Sequence, residues 1–185
     1  MNSQEMSNGG EAASLEVALI GFVRQRPRHG YEVYRLLTGT PELRRIWRLK
    51  QSRLYAMLAR LEADGLLHSD LAPQAGRPAR KVFRPTEGGA AAFDRWLTQP
   101  VAQPREMRLA FMLKLYFALR DGPETARRLL SAQQATCAAW PDMRPDPADG
   151  PFLSAVVAYR RAHIAAIRDW LAALAAEMAA TVTPG

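Results

Sequence analysis

The spacing of apolar residues predicts three helices in the first third of the chain. From Leu15 to Gln25 apolar side chains cover most of a helix surface, which predicts a helix buried on nearly all sides. A short second helix is predicted from Tyr31 to Leu37, and a third from about Gln51 to Asp64. The third is the best defined, because its apolar residues recur every three or four positions and share one face. They are Leu54, Met57, Leu58 and Leu61.

The opposite face of the third helix carries small and uncharged side chains. Its centre is formed by Ser52, Tyr55, Ala56 and Ala59, with Arg53 at the margin. A face that only meets solvent more often carries several Glu and Lys residues. Small side chains let the surface of another macromolecule come close, so this face is a candidate binding surface.

After the third helix the apolar period changes from about 3.6 to 2, which predicts two short strands, Leu66–Leu71 and Lys81–Pro85. The residues between them, 72–79, hold two prolines and a glycine and predict the loop of a hairpin. Thr86 is the expected cap of a fourth helix that runs to about Leu97. Three helices, a hairpin and a helix make residues 15–98 a winged helix-turn-helix domain.

The second half of the chain is predicted to be a helical domain, residues 105–180. It contains a helix over residues 105–120, another that starts at Gly122 and Pro123 and ends before Pro141, and a long helix from Phe152 to Ala180. The long helix carries an apolar seam with alternating steps of four and three, typical of a coiled coil. The fold class is therefore mainly α with a small β-hairpin.

Two interpretations of this seam are open. It packs either on residues 105–140 of its own chain or on a second copy of the chain, and we favour a dimerisation helix because paired reading helices grip two half-sites. The residues predicted to form the dimer contact are Leu153, Val157, Ile164, Ile167, Leu171, Leu174 and Met178.

The charge is concentrated in the first half of the chain. The 185 residues hold 25 Lys and Arg against 18 Asp and Glu, a net charge of +7, and residues 15–99 contain 15 of these bases but only eight of the acids. A solvated face is the simplest explanation for one basic cluster, but two clusters around one helix favour an acidic partner such as DNA. The clusters are Arg44, Arg45, Arg48, Lys50 and Arg53, and Arg77, Arg80, Lys81 and Arg84.

The composition also argues against several classes of protein. The single cysteine, Cys137, excludes a disulfide framework and a multi-cysteine metal site, and indicates a reducing compartment. Residues 1–14 are polar without a basic segment, so we expect a disordered tail rather than a signal peptide. No apolar stretch reaches the roughly 20 residues that span a bilayer. We expect a cytoplasmic protein without a membrane partner, a metal or a cofactor, and the absence of catalytic motifs predicts that it is not an enzyme.

Four motifs along residues 15–97 carry a family resemblance. They are His29-Gly30-Tyr31-Glu32, the segment from Leu54-Tyr55 through Arg60-Leu61-Glu62 to Gly65-Leu66, Gly76-Arg77-Pro78, and Thr86-Glu87-Gly88-Gly89. In this order and spacing they resemble the PadR-like bacterial transcriptional regulators. The resemblance implies a repressor-type regulator, commonly homodimeric and ligand-responsive, with operators of dyad symmetry. One departure is Gln51-Ser52-Arg53, where the family often has Pro-Gly-Thr.

In a winged helix-turn-helix the third helix enters the major groove and the hairpin reaches the adjacent backbone or minor groove. Double-stranded DNA is therefore the expected partner. The residues predicted to contact it are Gln51, Ser52, Arg53 and Tyr55 in the groove, Arg77, Arg80 and Lys81 on the wing, and Tyr31 and Lys50 at phosphates. The alternative function is a winged-helix module that docks an acidic protein.

Aromatic residues of the second half raise a further hypothesis. Tyr116, Trp140, Tyr159 and Trp170 are candidates to line a pocket for a small, flat aromatic effector that relieves repression. Ordinary core packing is the alternative for all four. Cys137 is either a thiol sensor, which requires a lowered pKa and access, or a plain buried cysteine.

Overall fold

A computed structural model of the chain describes residues 15–74, 77–141, 144, 146, 148 and 150–180, with the backbone alone at 73, 74 and 77–79. The fold is mainly helical with one small antiparallel sheet, as the sequence predicts. The predicted tail, residues 1–14, lies outside the described residues. In the part of the chain described, no helix is long and apolar enough to cross a membrane.

The amino-terminal unit contains one helix and one strand more than the sequence pattern indicates. Helix α1 covers residues 15–24, α2 is Gly30–Gly39 and α4 is Gln51–Ala63, all close to their predicted positions. Between α2 and α4 lies the additional helix α3, Pro41–Ile46, and before α2 lies the two-residue strand β1, Arg28–His29.

The hairpin is longer than predicted. Strand β2 is Leu67–Gln74 and β3 is Arg77–Pro85, so most of residues 72–79, predicted as loop, are paired strand. The pairing register of β2 and β3 shifts between Ala72 and Gln74. Pro73 lies at this irregularity, and proline is tolerated there because it has no amide hydrogen to donate to the neighbouring strand. Strand β1 pairs with the outer side of β3, so the sheet order is β1-β3-β2.

The remaining elements follow the predicted order. Helix α5, Glu87–Thr98, begins at the predicted cap, where the hydroxyl of Thr86 accepts the amide hydrogen of Gly89. The single helix predicted over residues 105–120 is divided into a 3-10 turn, Pro104–Arg108, and α6. The last three helices are α6, Ala110–Asp121, α7, Pro123–Ala138, and α8, Pro151–Ala180.

One continuous hydrophobic core joins the two predicted domains. Phe117 of α6 is partly buried against this core and contacts three rings of the amino-terminal unit. Its ring centroid lies 4.9 Å from that of Phe22, 5.2 Å from that of Phe93 and 6.3 Å from that of Trp96. These edge-to-face contacts are the preferred geometry of aromatic pairs, so the amino-terminal unit is fixed to the helices that follow it.

Buried hydrogen bonds fasten the segment between the two units. The side-chain amide of Gln133 accepts the Val101 amide hydrogen at 2.8 Å and donates to the Val101 carbonyl at 3.0 Å. The indole of Trp140 donates to the Ala102 carbonyl at 2.7 Å. Because buried polar groups are costly to leave unpaired, these bonds hold the connecting segment in one position.

Part of the apolar seam of α8 packs within its own chain, which is the alternative to the favoured dimer contact. Val157, Ile167 and Leu171 are buried within the same chain, because α8 packs along α7. Ile164, Leu174 and Met178 are half-buried against the core, and Leu153 remains exposed. Other large apolar side chains of α8 also face outward: Phe152, Tyr159 and Trp170.

Candidate nucleic-acid interface

Helix α4 presents the face that its sequence period predicts. Its apolar residues are buried against the rest of the amino-terminal unit, and its other side is open: Gln51, Ser52, Arg53, Tyr55, Ala56 and Ala59 are exposed. The helix has 13 residues and is about 20 Å long. Since Ser52, Ala56 and Ala59 on the open face are small, the floor of a DNA major groove can come close to it beside Tyr55.

One flank of α4 borders a groove of about 430 Å³ between α4, the start of α2 and strand β3. Five of the predicted DNA-contacting residues line it together: Tyr31, Gln51, Tyr55, Arg80 and Lys81. Gly30 also lies here. A methyl group on Gly30 would come within 2.7 Å of the Tyr55 ring, so glycine at this position lets the ring lie against the start of α2.

The other flank of α4 borders a larger cleft of about 1010 Å³. The cleft lies between the first elements of the chain and the beginning of α6, and predicted contacts Lys50 and Arg53 line it. The cations around it are Arg45, Arg48, Lys50, Arg53 and Arg108. Of these, Arg108 comes from the second half of the chain and lies outside the two basic clusters found in the sequence.

The hairpin carries the third group of predicted contacts. Arg80 is exposed, and the side chain of Arg77 lies outside the described residues. The ammonium of Lys81 forms a salt bridge of 2.7 Å with Glu62 of α4. Arg84, part of the predicted basic cluster, pairs with Asp70 of the neighbouring strand. The hairpin therefore presents fewer free cations than its sequence suggests.

Glu62 is a residue of the site whose role sequence reasoning missed. Its carboxylate accepts hydrogen bonds from Lys81 and from the hydroxyl of Ser69, and these bonds hold the pKa of Glu62 below its usual range. The family motif contains this glutamate, but nothing in the local pattern indicates its partners, which lie on two later strands.

The candidate effector residues do not form one pocket. Tyr116 packs against Phe22 and Phe117, and Trp140 is buried. Tyr159 and Trp170 do share a groove, of about 830 Å³, between the 3-10 turn, α6 and α8. Apolar side chains of the turn and of both helices line this groove, and Arg105, Arg108, Arg160 and His163 add positive or titratable groups.

Two further candidate chemistries find no support in the described residues. Within them, no group of three or more His, Cys, Asp or Glu side chains is placed to hold a metal ion. Cys137 is completely buried, and burial raises the pKa of its thiol. A reactive thiol requires exposure and a lowered pKa, so the geometry favours the plain buried cysteine.

Comparisons with known proteins agree with the resemblance in the sequence. The profile of the Transcriptional regulator PadR-like family matches residues 19–95. The chain is 27% identical over 103 residues to the Negative transcriptional regulator PadR of Bacillus subtilis (strain 168). That match covers 56% of each protein, so it spans about half the length of the curated relative.

Two solved structures of the Bacillus subtilis protein also match this chain. In complex with operator DNA it shares 21% sequence identity, covers 87% of this chain and 97% of that chain, and gives a TM-score of 0.46. In complex with p-coumaric acid it shares 22% identity, covers 89% and 98%, and gives a TM-score of 0.41.

Proposed function

We propose that this protein, whose residues 19–95 match the profile of the PadR-like family of transcriptional regulators, regulates transcription by binding specific DNA sequences. The observation that carries the proposal is the open face of α4, which lies between two flanks lined by cations. A helix that enters the major groove needs a face of this kind, with phosphates on both sides of it.

Base edges are read by the side chains at the beginning of α4. Gln51, Ser52 and Tyr55 are exposed there and carry hydrogen-bonding groups. Ala56 and Ala59 let the helix sit deep in the groove, and a methyl side chain suits contact with the methyl group of thymine. Sequence preference therefore resides mainly in the first two turns of the helix.

Phosphate contacts provide affinity and fix the position of α4. Lys50 lies on one flank of the helix, and Tyr31 and Arg80 lie on the other. Arg53, predicted to enter the groove, lines the same cleft as Lys50, and we assign it to a phosphate instead. We expect Arg77, in strand β3 of the hairpin, to add a further phosphate contact. Each cation that neutralises a phosphate releases counterions, so binding must weaken as salt increases.

A homodimer supplies two winged helix-turn-helix domains, here called reading heads, and an operator of dyad symmetry requires both. Helix α8 supports this assembly, because it leaves large apolar side chains exposed along its length although it already packs on its own chain. Exposed apolar groups of this kind are typical of a surface that another protein covers. The outward set replaces the buried part of the predicted seam: Phe152, Leu153, Tyr159 and Trp170.

Repression relieved by a small aromatic acid is the mode of regulation we infer. The groove between the 3-10 turn, α6 and α8 shares Tyr159 and Trp170 with the proposed dimer surface. It combines apolar walls with arginine side chains, which suits an aromatic ring that carries a carboxylate. The two reading heads can have a separation that fits the operator or one that does not. An effector that binds the second arrangement more tightly shifts the protein away from DNA.

The DNA-binding proposal is tested with genomic DNA. Purified protein should retain a small set of genomic fragments and shift them in a mobility assay, less strongly at higher salt. Tyr55→Ala should reduce the preference for a retained fragment over unrelated duplex by about tenfold, equivalent to about 1.4 kcal/mol, whereas Arg53→Gln should weaken binding to both. Retention of acidic proteins with no DNA preference would instead support a protein-docking module and overturn the proposal.

The effector proposal is tested by tryptophan fluorescence. Titration with p-coumaric acid and related aromatic carboxylates should quench the emission, and Trp170→Phe should abolish most of the response. Trp47→Phe is the matched control, because Trp47 does not line the groove, and it should retain the response. No quenching by any of these acids, or quenching that follows Trp47, would contradict the assignment of the groove.

A further inference from the structure

Glu62 connects three elements of the DNA-facing surface. It lies on the flank of α4 nearest the hairpin, and its two carboxylate oxygens have different partners. One oxygen accepts the hydroxyl hydrogen of Ser69 on β2, and the other accepts the ammonium of Lys81 on β3 at 2.7 Å. The carboxylate thus binds both strands of the hairpin to α4.

Lys81 and its neighbour Arg80 differ in the direction and the partners of their side chains. Successive residues of a strand point to opposite faces, so Lys81 shares a face with Phe83, which is buried in the core. Its side chain extends to α4 and ends at Glu62. Arg80 is exposed and, within the part of the chain that the structure describes, forms no salt bridge.

We propose that Glu62 holds Lys81 as a positioning residue that sets the angle of the hairpin against α4, and that Arg80 is the cation of this pair that neutralises a DNA phosphate. The inference rests on the proposed function, since it concerns how the same surface meets DNA. It narrows the sequence prediction, which assigned both residues to the DNA contact.

Electrostatics favour this division of roles. If Lys81 turned to a phosphate, the carboxylate of Glu62 would remain charged and half-buried on the side of the protein that faces the DNA. The hydrogen bond from Lys81 is the largest cause of the lowered pKa of Glu62, so the ionised carboxylate would lose its main stabilising contact if Lys81 left. An unpaired carboxylate beside phosphates is repulsive, so the salt bridge persists in the complex.

The salt dependence of binding to any duplex distinguishes the two cations, and the operator need not be known. Affinity for a fluorescein-labelled duplex of mixed sequence is measured by anisotropy at several potassium chloride concentrations. Each phosphate contact adds about 0.9 to the slope of log K against log salt. Arg80→Gln should reduce the slope by about 0.9 per protomer, and Lys81→Gln should leave it unchanged.

Glu62→Gln provides the complementary test. It frees the ammonium of Lys81, so the slope should increase by about 0.9 per protomer. The double variant Glu62→Gln with Lys81→Gln should return to the wild-type slope. Glu87→Gln, which removes one exposed acid at the start of α5, should leave the slope unchanged and controls for net charge.

The outcomes separate this inference from the proposed function. The inference is wrong if Lys81→Gln reduces the salt slope as much as Arg80→Gln does. It is also wrong if Arg80→Gln leaves the slope unchanged. In both cases the proposal of DNA binding stands. An unchanged slope in Glu62→Gln with wild-type thermal stability also counts against it. If the wild-type protein binds no duplex at any salt concentration, the proposed function itself fails.

Discussion

At the residue scale, Gly30 sets the position of Tyr55. The ring of Tyr55 lies where a side chain on Gly30 would be, since a methyl group there would come within 2.7 Å of Cε1 and 3.2 Å of Cζ. An alanine therefore displaces the ring without adding a charge or removing a hydrogen bond. Because Tyr55 is exposed on the other side, the displacement affects the binding surface more than the core.

We predict that Gly30→Ala weakens binding to a retained genomic fragment about fivefold, or about 1 kcal/mol. Anisotropy titration measures the change, and urea unfolding shows whether the fold is kept. Gly39→Ala, at the other end of α2, is the matched control because no atom lies within 4 Å of its added methyl group. Equal affinity of Gly30→Ala and wild type would show that Tyr55 does not contact DNA.

Lys114 is a buried lysine at the junction of α5 and α6. Its ammonium donates to the carbonyl of Trp96 and lies 4.3 Å from the centroid of the Trp96 ring. Burial lowers the pKa of Lys114 from 10.5 to about 7, although Glu106 acts in the opposite direction. Near neutral pH the folded protein therefore holds this proton less tightly than the unfolded chain does.

The free energy of unfolding should consequently rise with pH above about 7. Unfolding takes up a proton in this range, so the slope approaches about 1.4 kcal/mol per pH unit. Urea unfolding between about pH 7 and 8 measures it, below the pKa of about 8.5 of the Cys137 thiol in the unfolded chain.

Lys114→Met removes the titrating group and should flatten this dependence. Lys50→Met replaces an exposed lysine and should keep the wild-type slope. A Lys114→Met protein with the wild-type slope would assign the pH dependence to another group.

At the scale of elements, the length of a helix or strand and its apolar repeat decide whether the sequence predicts it. Helices α4, α5, α7 and α8 have 12 to 30 residues, enough for their apolar repeat and end signals to be read. Helix α3 has six residues and buries only Leu43, so it shows no repeat. Strand β1 has two residues and exists only through its pairing with β3, which no local pattern encodes.

The candidate site follows the same division. The exposed face of α4 is predicted because one helix period specifies both its buried and its open side. The salt bridge of Glu62 is not predicted, since Lys81 lies 19 residues further along the chain and on another element. The sequence also does not show that the four candidate effector residues lie in different places. Aromatic side chains suit a core and a pocket equally well.

Arg168 of α8 binds the carboxyl end of α7. The guanidinium of Arg168 donates to the Cys137 carbonyl at 2.8 and 3.0 Å and to the Trp140 carbonyl at 3.3 Å. These carbonyls lie at the end of α7, where the helix leaves acceptors unpaired and a positive charge is favourable.

We predict that Arg168→Gln lowers the free energy of unfolding by about 1–2 kcal/mol. Urea denaturation measures the loss, and Arg44→Gln, on the exposed surface of α3, should change stability little. A loss no larger than that of the control would mean that apolar packing alone holds α8 in place.

At the scale of the whole molecule, the exposed apolar side chains of α8 predict a dimer. Sedimentation equilibrium should give about twice the chain mass of 20.6 kDa. Phe152→Asp combined with Tyr159→Asp places two charges on the outward surface, where these side chains are 83% and 69% exposed, and should yield monomers that remain folded.

Leu71→Asp is the control for this experiment. Leu71 is also 69% exposed, but it lies on the hairpin, so its replacement should leave the dimer intact. A dimer that persists in the α8 double variant would require a different interface.

The aromatic cluster around Phe117 limits how this protein can be re-engineered. A reading head cut at residue 98 would leave Phe22, Phe93 and Trp96 uncovered, so we expect it to aggregate rather than fold alone. A chimera that transplants the head onto another sensor must carry α6 with it, or rebuild its ring contacts. Exchange of specificity between regulators of this build is thus simpler by replacing side chains on α4 than by swapping domains.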